Sequence, residues 1–92
     1  MNFPRKKDDH QEQRIGDELY LYGKDGEKLV VLNATAMLIW SFCDGTHSIN
    51  DMVDELKNIH SEVDQAELRK DIEQTVQTLL RKNLITDDQP NA

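Results

Sequence analysis

The sequence predicts an α+β fold, a small three-stranded antiparallel sheet followed by three α-helices. Two β-type runs flank a glycine-containing loop between residues 19 and 32, and three helical stretches follow them. Strands and helices that segregate along a chain in this way pack with the helices on one side of the sheet. Ninety-two residues suit one domain. Leu, Ile, Val and Phe make up 23 of them, a quarter of the chain, above the roughly 20% below which a charged chain stays unfolded.

Residues 1–12 are almost wholly polar, with Pro4 and charges of both signs, and read as a flexible tail. The folded domain is expected over residues 13–85. Arg14-Ile15 adds a short first strand. Leu19-Tyr20-Leu21-Tyr22 and Lys28-Leu29-Val30-Val31-Leu32 form a hairpin around residues 23–27, where Asp25-Gly26 supplies the positive-φ position. Asn33 is a good N-cap for a helix over residues 34–43. That helix is apolar nearly all round and should be buried on most sides. Asp44-Gly45 stops it, with Gly45 suited to the left-handed C′ position. Ser48 and Asp51 resemble a capping box, and Ile49, Met52, Val53, Leu56 and Ile59 make the stripe of a second helix. Asp64-Gln65-Ala66-Glu67 opens the third, whose stripe is Leu68, Ile72, Val76, Leu79 and Leu80, with Asn83 as C′ residue. Leu84-Ile85 packs back as a short extended segment, and residues 86–92 form a second polar tail.

Charge and chemistry remove several function classes. The chain carries a net charge of −7, and its only basic run is Arg5-Lys6-Lys7. Nucleic-acid binding, which rewards a basic face, is not expected. No apolar run reaches the length of a membrane span and no secretory signal pattern is present. Cys43 is the one cysteine, so a disulfide within the chain or a thiolate cluster is excluded, and a reducing cytoplasm fits. Placed at the end of an apolar helix, it reads as a small core residue. His10, His47 and His60 make no ligand pair at helical spacing, and no metal is expected. The acidic pairs Asp54-Glu55, Asp71 with Glu73, and Asp87-Asp88 fall off the apolar stripes and read as solvated faces. No catalytic constellation and no cofactor-binding loop emerges, so the chain does not read as an enzyme.

The strand Leu29–Leu32 departs from this pattern. Leu29 and Val31 alternate with Val30 and Leu32, so both faces are apolar where a one-sided sheet should alternate apolar and polar. It also ends a short meander, which makes it an edge, and an apolar edge invites a further strand. Two readings stand at this point: addition of a peptide strand, or covering of the second face by the third helix or a tail.

The segment Val31-Leu32-Asn33-Ala34-Thr35-Ala36, followed by Ile39-Trp40 and Asp44-Gly45-Thr46, resembles the PqqD family. Ile49, Met52 and Leu56, and the ending Leu79-Leu80-Arg81-Lys82-Asn83-Leu84-Ile85, are similar to that family's second helix and C-terminal motif, with Asn83 where Gly is commoner. The resemblance spans most of residues 14–85. It implies a winged-helix-like domain that recognises the leader of a ribosomally made precursor peptide and presents the core to a modifying enzyme, commonly a radical SAM protein, in synthesis of PQQ or another modified peptide. The implied peptide-binding residues are Lys28, Leu29, Val30, Val31 and Leu32 on the strand, with Arg69, Ile72, Glu73 and Val76 from the third helix. The acidic surface favours leaders with basic residues. The competing readings are an acidic adaptor in a protein complex and, less favoured by charge, a DNA-binding regulator; the exposed strand also admits a homodimer.

Overall fold

The structure, a computed structural model, describes residues 3–8, 10–59, 62 and 64–88. Its elements run β1 (Phe3–Lys6), β2 (His10–Ile15), β3 (Glu18–Gly23), β4 (Lys28–Leu32), α1 (Ala34–Ser41), α2 (Ile49–Ile59), α3 (Gln65–Arg81) and β5 (Ile85–Asp88). The expected antiparallel sheet of three strands is present in the order β2-β3-β4. Gly26, at φ +84°, sits in the β3–β4 turn, a backbone region closed to most side chains.

The termini of the fold differ from expectation. β2 begins at His10 rather than at Arg14, and Phe3–Lys6 pairs antiparallel with Ile85–Asp88 as a second, two-stranded sheet. Residues assigned to polar tails therefore include two paired strands. β1 is fastened on both sides: Lys6 donates its N–H to the Cys43 carbonyl (3.0 Å), Lys7 donates to Leu84 (3.0 Å), and Pro4 accepts from Gly45 (2.9 Å). The Pro4 side chain is fully buried. A strand of four residues with its partner some eighty positions away leaves no periodic trace in sequence.

Local signals at the helix ends act as expected except at the end of α1. Asn33 Oδ1 accepts from the Ala36 N–H at 2.9 Å. Ser48 and Asp51 form a reciprocal capping box: Asp51 N–H donates to Ser48 Oγ (3.1 Å), and Ser48 N–H donates to an Asp51 carboxylate oxygen (2.9 Å). Asp64 caps α3 through the Ala66 N–H at 3.3 Å. Asn83 follows α3 at φ +59°, the left-handed conformation that lets the Leu84 N–H reach the Leu79 carbonyl at 3.0 Å. Gly45, also left-handed, lies in the loop beyond the α1 cap rather than at its C′ position, because α1 ends at Ser41 with Phe42 as its cap.

One core joins the parts. Leu19, Leu21 and Leu32 from the sheet meet Ile39 and Trp40 of α1, Met52, Val53 and Leu56 of α2, and Leu68, Ile72, Val76 and Leu79 of α3. Ile59, expected on the α2 stripe, is instead 55% exposed at the helix end. α1 is also less enclosed than its composition suggests. Only Ile39 and Trp40 are buried, while residues 35–38 are half-exposed and Ala34 is exposed. Trp40 is gripped from the N-terminal strands: its indole N–H donates to Glu12 (3.3 Å), His10 meets the ring edge-on at 5.2 Å, and Lys6 Nζ lies 5.0 Å from the ring centre.

Cys43 is fully buried and its thiol donates to the Ile39 carbonyl at 3.3 Å. Burial is the main cause that pushes its pKa from 9.0 up to about 12, against a smaller downward pull from Lys6. The thiol should therefore resist iodoacetamide at pH 8.5 in the folded chain and react once urea unfolds it; equal rates in both states would contradict the packing. Folding holds the proton between the unfolded and folded values. The thiol's contribution is thus complete below pH 9 and is lost as pH rises toward 12, a decline that Cys43→Ala should flatten in urea titrations. At Asn83, Ala should lower the unfolding free energy by about 1 kcal/mol through left-handed strain, and Gly should not; denaturant midpoints for the two variants check this.

Candidate functional site

β4 is the edge of its sheet, with β3 on one side and no strand on the other among the described residues. The pairing explains its doubly apolar sequence. Leu32 faces Leu19 and Val30 faces Leu21, and both β3 partners are buried. These two therefore point to the core, and Val31, opposite Tyr20, points away. The next pair is Tyr22 with Lys28, so Leu29 is an extra residue in β4, a β-bulge. Leu29 packs against the core cluster together with Val30. Three of the four apolar residues thus serve the helix-covered face, and simple alternation fails at the bulge. What stays available is the strand edge, with Val30 and Val31 half-exposed.

Beside that edge runs a groove of about 460 Å³. One wall is Val30, Val31 and Leu32 of β4, continuing into Asn33 and into Thr35, Ala36 and Ile39 of α1. The other wall is α3, through Asp71, Gln74, Thr75 and Thr78. These four follow the i, i+3, i+4, i+7 spacing of a single helix face. Leu68, Ile72, Val76 and Leu79 occupy the neighbouring face and are buried. Thr35 and Ala36, two of the half-exposed residues of α1, lie here, while Met37 and Leu38 pack against the margin of the core.

The strand residues Lys28 to Leu32 lie at the expected edge; the helix residues divide differently. Ile72 and Val76 are core side chains and present nothing to the groove. Arg69 is half-buried and its guanidinium donates to Asn50 Oδ1, bracing α3 against α2. Glu73 is exposed and does not line the groove, but lies in a shallow depression with Gln77 and Arg81 that shares Gln74 and Thr78 with the groove wall. The wall residues Asp71, Gln74, Thr75 and Thr78 went unseen because a polar helix face one step from the apolar stripe looks like any solvated surface. Their spacing, with two threonines of small volume, was the available signal.

The remaining candidates are local. His47 Nδ1 and Thr46 Oγ1 lie 3.0 and 2.7 Å from the same Asp44 carboxylate oxygen, which also accepts the Thr46 N–H at 2.9 Å. Slight desolvation pushes the Asp44 carboxyl up, but the hydrogen bonds from Thr46 and His47 outweigh it and lower the pKa to about 2. His10 bridges the Lys7 carbonyl (2.8 Å) and the Glu12 carboxylate (2.7 Å). His60 lies outside the described residues. Among the described residues no group of three or more His, Cys, Asp or Glu is arranged to hold a metal, and no helix is long and apolar enough to cross a membrane.

Comparison with solved structures finds TbiB1 in complex with the TbiA(beta) leader peptide, with a TM-score of 0.72 over 88% of this chain and 93% of that one. At 23% identity the likeness is one of fold. No curated protein matches. The family model for coenzyme PQQ synthesis protein D matches residues 18–85, from the start of β3 through α3 to the first residue of β5. That span includes β4, both walls of the groove and the motifs around Asn33, Trp40 and Asn83, and the chain belongs to the PqqD family.

Proposed function

We propose that this chain binds the leader segment of a ribosomally synthesised precursor peptide as an added strand on β4, and delivers the peptide to a modifying enzyme. The observation that carries the reading is the open β4 edge beside the groove, in a chain of the PqqD family. Backbone N–H and C=O groups along Leu29–Leu32 supply sequence-tolerant affinity, and the cleft between β4 and α3 takes alternate side chains. TbiB1, similar in fold, is solved with a leader peptide, which supports the same use of the scaffold here. The chemistry belongs to the enzyme partner, a radical SAM protein in this reading, in synthesis of PQQ or another modified peptide. The chain itself acts in the cytoplasm without a cofactor. Self-pairing of two β4 edges would compete with the leader for the same groups.

Titrating the 15N-labelled chain with synthetic leader peptides of the precursor encoded beside its gene should shift the amides of residues 28–33 and of the α3 wall. Shifts confined to β2 or α2 would refute the site. Along a strand, N–H groups alternate between the ladder and the open edge. One of Val30→Pro and Val31→Pro therefore removes an edge donor and leaves the β3 ladder intact, while the other breaks the ladder. The first should remain folded and lose up to about tenfold in leader affinity, the worth of one well-made hydrogen bond. A folded variant of each kind with unchanged affinity would rule out strand addition.

A further inference from the structure

The α3 wall has a charge order. From Asp71 the face continues through Gln74, Thr75 and Thr78 to Lys82, the helix cap, at the helical step i+11. Arg81 and Lys82 stand beside Leu29, at the start of β4, in a second hollow contiguous with the bulge. Asp71, eleven residues earlier on the helix, therefore lies toward the other end of the groove, and α3 runs antiparallel to β4. Lys24 adds positive charge at the Leu29 end, against Asp25 and Glu27. Asp71 is the one charged residue lining the main groove, and neither it nor Lys82 has an ion-pair partner among the described residues.

We infer that the groove selects an extended peptide carrying a Lys or Arg four or six residues before an Asp or Glu. This rests on the strand-addition reading above and specifies its ligand. Eleven residues of helix rise about 16 Å, which is about five residues of extended chain. Both charges must point to α3, so their separation is even, and the long side chains absorb the remainder. Antiparallel pairing, the more stable arrangement, sets the peptide's N-terminal side by Asp71 and its C-terminal side by Lys82 and Arg81. The cation therefore comes first.

The test is selection of random 12-residue peptides, displayed on their encoding mRNA, against the full chain and against Asp71→Lys and Lys82→Glu. The expected outcome is a cation column four or six positions ahead of an acidic column. The cation column should be lost against Asp71→Lys and the acidic one against Lys82→Glu. Anisotropy of a synthesised binder should show affinity about fivefold weaker for Asp71→Lys, the upper range for an exposed ion pair, and recovery when the peptide cation becomes Glu. Binders lacking the charge pair, binders with the reverse order, or identical binders against Asp71→Lys would overturn the inference while leaving strand addition standing. Failure to enrich any peptide, with the variants folded by circular dichroism, would overturn strand addition itself.

Discussion

The phase of α3 governs this molecule. Leu68, Ile72, Val76 and Leu79 must face inward, since they close the core against α1, α2 and the sheet. Once those four are buried, the helix has no freedom left to rotate. The face a quarter-turn away, from Asp71 to Thr78, is then obliged to look across at β4. The groove wall is a geometric consequence of the core, while its chemistry is free of core constraints. This is why Ile72 and Val76 are poor candidates for contact with a ligand and their immediate neighbours are good ones.

The sheet has two edges, and they differ in kind. β2 (HQEQRI) ends the sheet with exposed polar and charged side chains, the usual defence of an edge against unwanted pairing. β4 has no such defence beyond Lys28. Its bulge rotates Leu29 toward the core, which anchors the start of the strand from one face. Anchoring from the face leaves the edge groups uncommitted. An undefended edge that is nonetheless held rigid offers a preformed partner for a strand, so little ordering cost falls on the protein when a peptide pairs.

Much of this was legible in sequence, and the failures share a cause. Caps and turns are local chemistry, so Asn33, Ser48 with Asp51, Asp64, Gly26 and Asn83 could each be placed from their own neighbours. Stripes are periodic, so the buried faces of α2 and α3 followed. Long-range facts were invisible: Phe3–Lys6 pairing with Ile85–Asp88, or Glu12 reaching Trp40 across 28 positions. The bulge was hidden as well, since four consecutive apolar residues read as two apolar faces until one of them is known to be extra. At α1, apolarity nearly all round suggested burial on most sides, whereas residues 35–38 are half-exposed and Thr35 and Ala36 line an open cleft. Sequence hydrophobicity does not distinguish a buried helix face from one at the margin of the core.

The family match begins at β3 and ends as β5 begins, leaving β1, β2 and most of β5 outside it. The excluded strands hold Trp40 through Glu12, His10 and Lys6 and wedge Pro4 beneath the loop at Cys43 to Gly45. None of them lines the β4–α3 groove. The contacts made by the chain ends and the lining of the groove are thus carried by different side chains. The terminal strands can change without altering the groove, and the stripe from Asp71 to Lys82 can change without opening the core. Under the proposed strand addition, a scaffold divided in this way would acquire a new ligand by substitutions on one exposed helix face, with β4 supplying the same backbone groups to each.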